Sequence, residues 1–221
     1  MCIRDRDTTS PTALLEGVFT TAVIDAHERR DIMSLDVPNA FIQAEIPKGK
    51  GDDRIMMKIT GRMADIILQI APHIYAGYVV YENGKKVLYV EVLRALYGML
   101  ISAMLWYLKF RGDLEEIGFD FNPYDPCIAN RIVKKKQQTI RFHVDDLMSS
   151  HVDSEVNTKF LAWTKRKYGK HGEVKSTRGN ELDFLGMLMA WSNRRLFFLL
   201  HLVCRKVSFN YGSKWLESQK N

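Results

Sequence analysis

The stretch that most constrains this chain is Thr139-Ile-Arg-Phe-His-Val-Asp-Asp-Leu-Met-Ser-Ser150. Ile140, Phe142 and Val144 alternate with Arg141 and His143, the period of two that marks a half-buried strand. Leu147 and Met148 resume the apolar character beyond two adjacent carboxylates, Asp145 and Asp146. The segment reads as a hairpin with two acids at its tip. Like charges placed so closely repel, and the repulsion raises a pKa unless a cation sits between them. A hard divalent ion, Mg²⁺ above all, takes oxygen ligands and shares them with phosphate. The competing reading is a polar β-turn, where Asp is common, and for an Asp-Asp pair alone the turn is the better reading. Asp52-Asp53 is such a pair: it lies in Lys48-Gly-Lys-Gly-Asp-Asp-Arg54, with no apolar strand leading in, and carries no functional expectation. A metal site at 145–146 needs a third carboxylate.

Ile32-Met-Ser-Leu-Asp-Val-Pro-Asn-Ala-Phe-Ile-Gln43 offers one. Ile32 to Val37 is apolar and β-prone except at Asp36. A carboxylate inside an apolar strand costs roughly several kcal/mol unless it is paired or metal-bound. Pro38 stops the ladder, so Asp36 is expected at the C-terminal end of the strand, either exposed there or acting as a ligand. Phe41, five residues on, is either core or a pocket wall.

The remaining elements follow from pattern. Ser10 and Pro11 suit the start of a helix running to Arg30, with Leu14, Val18 and Ala22 in one line and Leu15, Phe19 and Val23 beside it. Ile55 to Ile59 is a strand and Ala64 to Ile70 a short helix. Asn83-Gly84 between two β-rich runs is a type I′ hairpin signal. Leu96-Tyr-Gly-Met99 marks a turn, and Gly98 there serves either the turn itself or a close approach. Trp106, Phe110, Leu114 and Ile117 share a face of a helix from Ser102 to Ile117, and Gly118 suits its C-cap. Strands at Ile128–Val133 and Gln138–Val144 flank Lys134-Lys-Lys-Gln-Gln138, a solvated tip or a phosphate contact. Asp153 or Ser154 caps a helix to Tyr168 with Val156, Phe160 and Trp163 inward. Glu173–Lys175 and Leu182–Met189 are expected as final strands.

Composition narrows the function classes. A net charge of +6 permits a polyanionic partner without proving one. Three scattered cysteines argue against a disulfide framework and for a reducing compartment. The longest apolar run, Leu196 to Cys204, is interrupted by His201 and falls short of the roughly 20 residues of a membrane span. The first residues are too charged for a signal peptide. The element order implies an α+β fold, an antiparallel sheet with helices packed on one face. In that layout the end of the Asp36 strand and the tip of the 140–148 hairpin can lie side by side. Two divalent ions between the three carboxylates would serve phosphoryl transfer.

These residues resemble the reverse transcriptase domain of copia-type retrotransposon polyproteins. Leu35-Asp-Val-Pro-Asn-Ala-Phe41 resembles the family's first catalytic block. Leu93-Arg-Ala-Leu-Tyr-Gly-Met99 followed by Trp106-Tyr107 resembles its Ala-Leu-Tyr-Gly block. Gly118-Phe, Asp125-Pro-Cys127 and Phe142-His-Val-Asp-Asp-Leu147 resemble the run ending in the Asp-Asp box, and Asp183-Phe-Leu-Gly186 a later strand. The resemblance implies a polymerase palm with partial fingers over 10–190, a scar or disordered start at 1–9 and a non-matching tail at 191–221. It implies an RNA-directed DNA polymerase with two Mg²⁺ ions (or Mn²⁺). Asp36, Asp145 and Asp146 would be the catalytic carboxylates, and Val37 would join them as a metal ligand. Phe41, Tyr97 and Gly98 would bind the deoxynucleoside triphosphate, Phe41 excluding a 2′-hydroxyl. His143 and Val144 would line the primer end of an RNA or DNA template. The implied setting is intracellular, a cytoplasmic virus-like particle, with integrase and ribonuclease H as polyprotein partners and no membrane.

The chain also departs from the family. His143 stands where the family has Tyr. Met99-Leu-Ile-Ser-Ala-Met-Leu105 replaces a Lys-Gln and Pro-Arg segment and removes its polar and basic groups. On the same resemblance, the basic fingers segment that grips the triphosphate would lie upstream and is expected to be missing here. Little polymerase activity is therefore expected from this chain alone. Two other readings stand beside a catalytic palm: an inactive remnant that binds metal or nucleic acid weakly, and a two-metal nuclease, for which no hydrolytic base is evident.

Overall fold

The computed structural model describes residues 9–47, 54–192 and 195–200. Asp52-Asp53, most of the 1–9 segment and the tail beyond 200 lie outside the described residues. The fold is α+β with antiparallel sheets, as the element order implies.

The central sheet has six strands: β1 (Asp31–Asp36), β5 (Asp120–Phe121), β6 (Ile128–Val133), β7 (Lys136–His143), β8 (Asp146–His151) and β9 (Lys175–Arg178). Their order is β5-β6-β7-β8-β1-β9. β1, early in the chain, is thus inserted between two late strands and buried on both edges. One face carries Met33, Leu35, Ala129, Ile140, Phe142 and Leu147. Against it pack helices α5 (Ser102–Glu116), through Trp106, Phe110 and Leu114, and α6 (Ser154–Tyr168), through Phe160 and Tyr168.

Helix α1 (Leu15–Glu28) lies on the opposite face, so the helices do not all share one side. Val18, Ala22 and Ala26 pack there with Ile32 and Met148. Gly17 allows a close approach, since a Cβ there would stand 2.5 Å from Asp125 Oδ2 and 2.7 Å from Ile128 Cδ1. The helix begins at Leu15 rather than near Ser10 because the Leu14 N–H donates to Asp125 Oδ2 at 3.1 Å, which holds the preceding residues extended. Leu14, Leu15 and Val23, expected on its apolar face, are exposed. Beneath α1 lies a buried ion network. Asp25 accepts from Arg141 Nη2 at 2.6 Å and from Ser150 Oγ at 2.6 Å, and Arg30 Nη1 stands 3.7 Å away. Three groups share one carboxylate, which is how a buried charge is kept compensated.

A second sheet, β2 (Met56–Thr60), β4 (Lys85–Glu91) and β3 (Val79–Glu82), is covered by α3 (Gly61–Ile70), whose Asp65 pairs with Lys86; the short α4 (Pro72–Tyr75) follows it. Asn83 and Gly84 both take positive φ, 50° and 76°, as a type I′ turn requires. The Lys134-Lys135 turn does the same, with φ 51° and 63°. Lys136, Gln137 and Gln138 therefore belong to β7, not to the loop. Lys134 Nζ donates to Asp153 and Glu155 at the start of α6, so this lysine anchors the tip to the protein. The expected strand at 182–189 is two strands, β10 (Glu181–Phe184) and β11 (Met187–Ser192), reversed at Leu185-Gly186. The backbone of β12 (Arg195–Leu200) pairs with β11. Among the described residues no helix is long and apolar enough to cross a membrane.

Candidate active site

Asp36 is the last residue of β1 and lies opposite Asp146, the first residue of β8. On the other side of β1 it lies opposite Lys175 of β9, while Asp146 faces His143 of β7. Antiparallel partners project to the same face. Four adjacent strands therefore carry a row, His143, Asp146, Asp36 and Lys175, across one end of the sheet, on the face that α1 covers further along. Asp145 stands in the turn between His143 and Asp146. The turn is tied to the end of β1, where the Val37 N–H donates to the Asp145 carbonyl at 3.3 Å.

The alternation in the sequence explains the placement. Met33 and Leu35 face the α5–α6 core, so Asp36, one residue on, is turned to the other side, and Val37 is again buried at 1% exposure. Since the Val37 side chain is core, only its main-chain carbonyl can serve as a ligand. Pro38 and Asn39 (φ 52°) then turn the chain into α2 (Ala40–Gln43). That turn is clamped to the end of α6. Asn39 Nδ2 donates to the His171 carbonyl at 2.9 Å, and Gln43 Nε2 to the Tyr168 carbonyl at 3.0 Å. A Cβ on Gly172 would meet Pro38 Cβ at 2.8 Å.

Phe41 projects from α2 toward Tyr97, with ring centroids 4.3 Å apart. The two segments are joined by backbone bonds, Ile46 N–H to the Leu93 carbonyl and Ala95 N–H to the Ala44 carbonyl. Arg94 reinforces the junction by donating to the Ile42 carbonyl. Gly98 has φ 92°, and among the described residues nothing beyond its own chain neighbours lies within 4 Å of where its Cβ would stand. Its glycine is required by the turn, not by a close approach of protein atoms.

The electrostatics are those of a concentrated negative site. Loss of water around the Asp146 carboxyl pushes its pKa up, and the charges of Asp145 and Asp36 push it further, against a smaller opposing effect of His143. The Tyr97 phenol is raised as well, by its partial burial and then by Asp145 and Asp36. Among the described residues none of the three aspartates has an ion-pair partner within 4 Å. His143 Nδ1 is a buried polar atom without a hydrogen bond.

The donor types suit a hard divalent cation: three carboxylates and, among the described residues, no ion-pair partner within 4 Å of them and no sulfur ligand beside them. Among the described residues, however, no three His, Cys, Asp or Glu side chains are already gathered into a metal-binding group. The carboxylates share one sheet end and one electrostatic neighbourhood without being closed into a ligand shell.

The structure thus places Asp36, Val37, Asp145, Asp146, His143 and Val144 at one sheet end, with Tyr97 close enough to feel Asp36 and Asp145 and Phe41 against Tyr97. Two residues beside the site were assigned no role in it by the sequence. Lys175 becomes visible only through the register that sets it opposite Asp36. Trp106, read as core, donates its indole N–H to the Val144 carbonyl at 2.5 Å.

No protein-family model matches the chain, and no curated protein matches its sequence. Among solved structures it is similar to telomerase from Candida albicans in complex with the TWJ fragment of telomeric RNA. The identity is 12% and the TM-score 0.46, over 88% of this chain and 36% of that one. The chain therefore spans about a third of the telomerase chain's length.

Proposed function

We propose that this chain is a reverse transcriptase domain fragment of a copia-type retrotransposon, built for RNA-directed nucleotidyl transfer. The observation that carries the reading is the register of Asp36 against Asp146, with Asp145 in the adjoining turn tied to Val37. Separate sequence blocks that each resembled the family are brought to one sheet end. Asp36, Asp145 and the Val37 carbonyl would hold Mg²⁺ or Mn²⁺, with Asp146 as the weaker ligand. When bound, two such ions supply Lewis-acid chemistry, activating the primer 3′-hydroxyl and neutralising the triphosphate.

The protein's own part is positioning. The Phe41 ring, backed by Tyr97, walls the sugar pocket and excludes a 2′-hydroxyl. Tyr97 and Gly98 flank the incoming deoxynucleotide, with open space above Gly98. His143 and Val144 lie beside the primer end of an RNA or DNA template. The setting that goes with this reading is an intracellular particle shared with integrase and ribonuclease H.

One observation favours a second reading, a remnant that binds metal or nucleic acid without turnover. Met99 to Leu105, next to the site, carries no charged side chain, and Leu100 is 77% exposed. A segment so placed gives a triphosphate no cation to bind.

The experiment is Mn²⁺ binding followed by primer extension on an RNA template, with the native chain and Asp145→Asn. Both readings expect Mn²⁺ binding that Asp145→Asn weakens, and little or no extension by this chain alone. Robust Mg²⁺-dependent extension that Asp145→Asn abolishes would overturn that expectation and exclude the remnant. Binding indifferent to Asp36→Asn and Asp145→Asn would overturn both.

A further inference from the structure

The hairpin at 143–146 reverses in two residues. His143 and Asp146 are register partners, and Val144 and Asp145 form the turn. Val144 has φ 57°, while Asp145 stays outside the positive-φ region. Turns with positive φ at the first central position favour glycine, and a β-branched residue there is an outlier that surrounding structure must hold. The holding groups are identifiable. The Val37 N–H donates to the Asp145 carbonyl, and the Trp106 indole N–H donates to the Val144 carbonyl at 2.5 Å. Trp106 is 1% exposed. It stacks on Phe110 at 5.4 Å and meets Tyr168 edge-on at 5.3 Å. The donor is fixed by the core of α5, an element that contributes none of the carboxylates.

We propose that Trp106 is a positioning residue: through its indole N–H it fixes the Val144–Asp145 peptide and so aims the Asp145 carboxylate toward Asp36. This rests on the reading that these carboxylates take a divalent ion. The indole body belongs to the core, and its N–H belongs to the site. The two roles separate chemically, because Trp106→Phe keeps an aromatic ring and deletes the donor. The benzothienyl analogue of Trp106, in which sulfur replaces N–H, deletes the donor at nearly constant shape. Val144→Gly removes the need for the pin, since glycine takes positive φ without strain.

The test uses the full chain, labelled with ¹⁵N, and reads Mn²⁺ affinity by electron paramagnetic resonance together with the amide resonances of 143–146. Loss of the donor is expected to weaken Mn²⁺ binding by about 10–100-fold, the range for groups that orient metal ligands. The 143–146 amides should shift even without metal. In the Val144→Gly background the same loss should cost far less. Should Trp106→Phe fail to fold, the benzothienyl analogue gives the same comparison. Unchanged Mn²⁺ affinity at lowered thermal stability would overturn the proposal, leaving Trp106 as core alone. If the native chain binds no Mn²⁺, the metal reading fails instead. The 143–146 amides then decide: unmoved resonances in the analogue would overturn the positioning role too.

Discussion

Asp36 and Asp146 face each other across the β1–β8 ladder as register partners, so two carboxylates leave the same face at opposed positions. Directly opposed like charges destabilise a sheet by roughly 0.2–1 kcal/mol. The Asp146 carboxyl, raised by loss of water and by its two acidic neighbours, carries that cost.

Asp146→Asn should therefore raise the melting temperature at pH 7 in chelator and low salt, by at most about 2–4 °C for a chain of this size. With its pKa raised in the folded state, Asp146 takes up a proton on acidification before the unfolded chain does. Its destabilising effect is present at neutral pH and fades as pH falls toward the ordinary carboxylate range. The gap between native and variant should close over that interval. Melting curves against pH measure it, and a gap that widens on acidification contradicts the assignment.

Divalent metal should reverse the order. A ligand bound only by the folded state at 100 times its Kd stabilises by about 2.7 kcal/mol. Mn²⁺ should accordingly raise the melting temperature of the native chain and leave Asp36→Asn nearly unmoved. Thermal scans with and without Mn²⁺ show this directly.

The buried network under α1 should be the most sensitive polar feature of the fold. Asp25→Ala leaves Arg141 and Arg30 without their shared carboxylate. Breaking a buried pair from one side costs about 3–5 kcal/mol. Replacing both Asp25 and Arg141 by apolar residues should cost less than the sum of the two single changes, because the uncompensated charge is then removed. Urea denaturation of the three variants tests the coupling.

Gly172 and Gly179 make a controlled pair. Both have φ near 150°, but a Cβ on Gly172 meets Pro38 Cβ at 2.8 Å while one on Gly179 meets nothing within 4 Å. Gly172→Ala should destabilise by about 1–3 kcal/mol more than Gly179→Ala, the usual cost of overpacking. Because Pro38 leads from Asp36 to Phe41, only Gly172→Ala should also weaken Mn²⁺ binding.

Much of the fold was legible because its signals are local. The alternation through Ile140 and Phe142, the Asn83-Gly84 turn and the Trp106-Phe110-Leu114 spacing each act within a few residues, and each corresponds to an observed element, although the strand stops at His143 and Val144 belongs to the turn. Asp36 at a strand end followed from Pro38. What escaped depended on distant partners. Asp125 delays the start of α1 from over a hundred residues away, and the pairing of Lys175 with Asp36 is a matter of register. The Lys134-Lys135 turn was misplaced because lysine rarely takes positive φ, so composition pointed to a longer loop. Trp106 fitted a helix stripe perfectly well, and nothing in that pattern distinguishes a buried indole whose N–H is idle from one that pins a turn.

The insertion of β1 between β8 and β9 has a consequence for biogenesis. Its partners, Asp146 and Lys175, emerge from the ribosome long after Asp36. Pairings of such wide sequence separation form late, since their loop entropy must be met before any contact compensates it. Until His151 has been synthesised β1 has no β8 to pair with, and the acidic end of the sheet cannot form; until Arg178 follows, β1 remains an edge strand. The nascent chain thus carries β1 unpaired through most of its synthesis, as an open strand edge that other chains could pair with until β8 arrives.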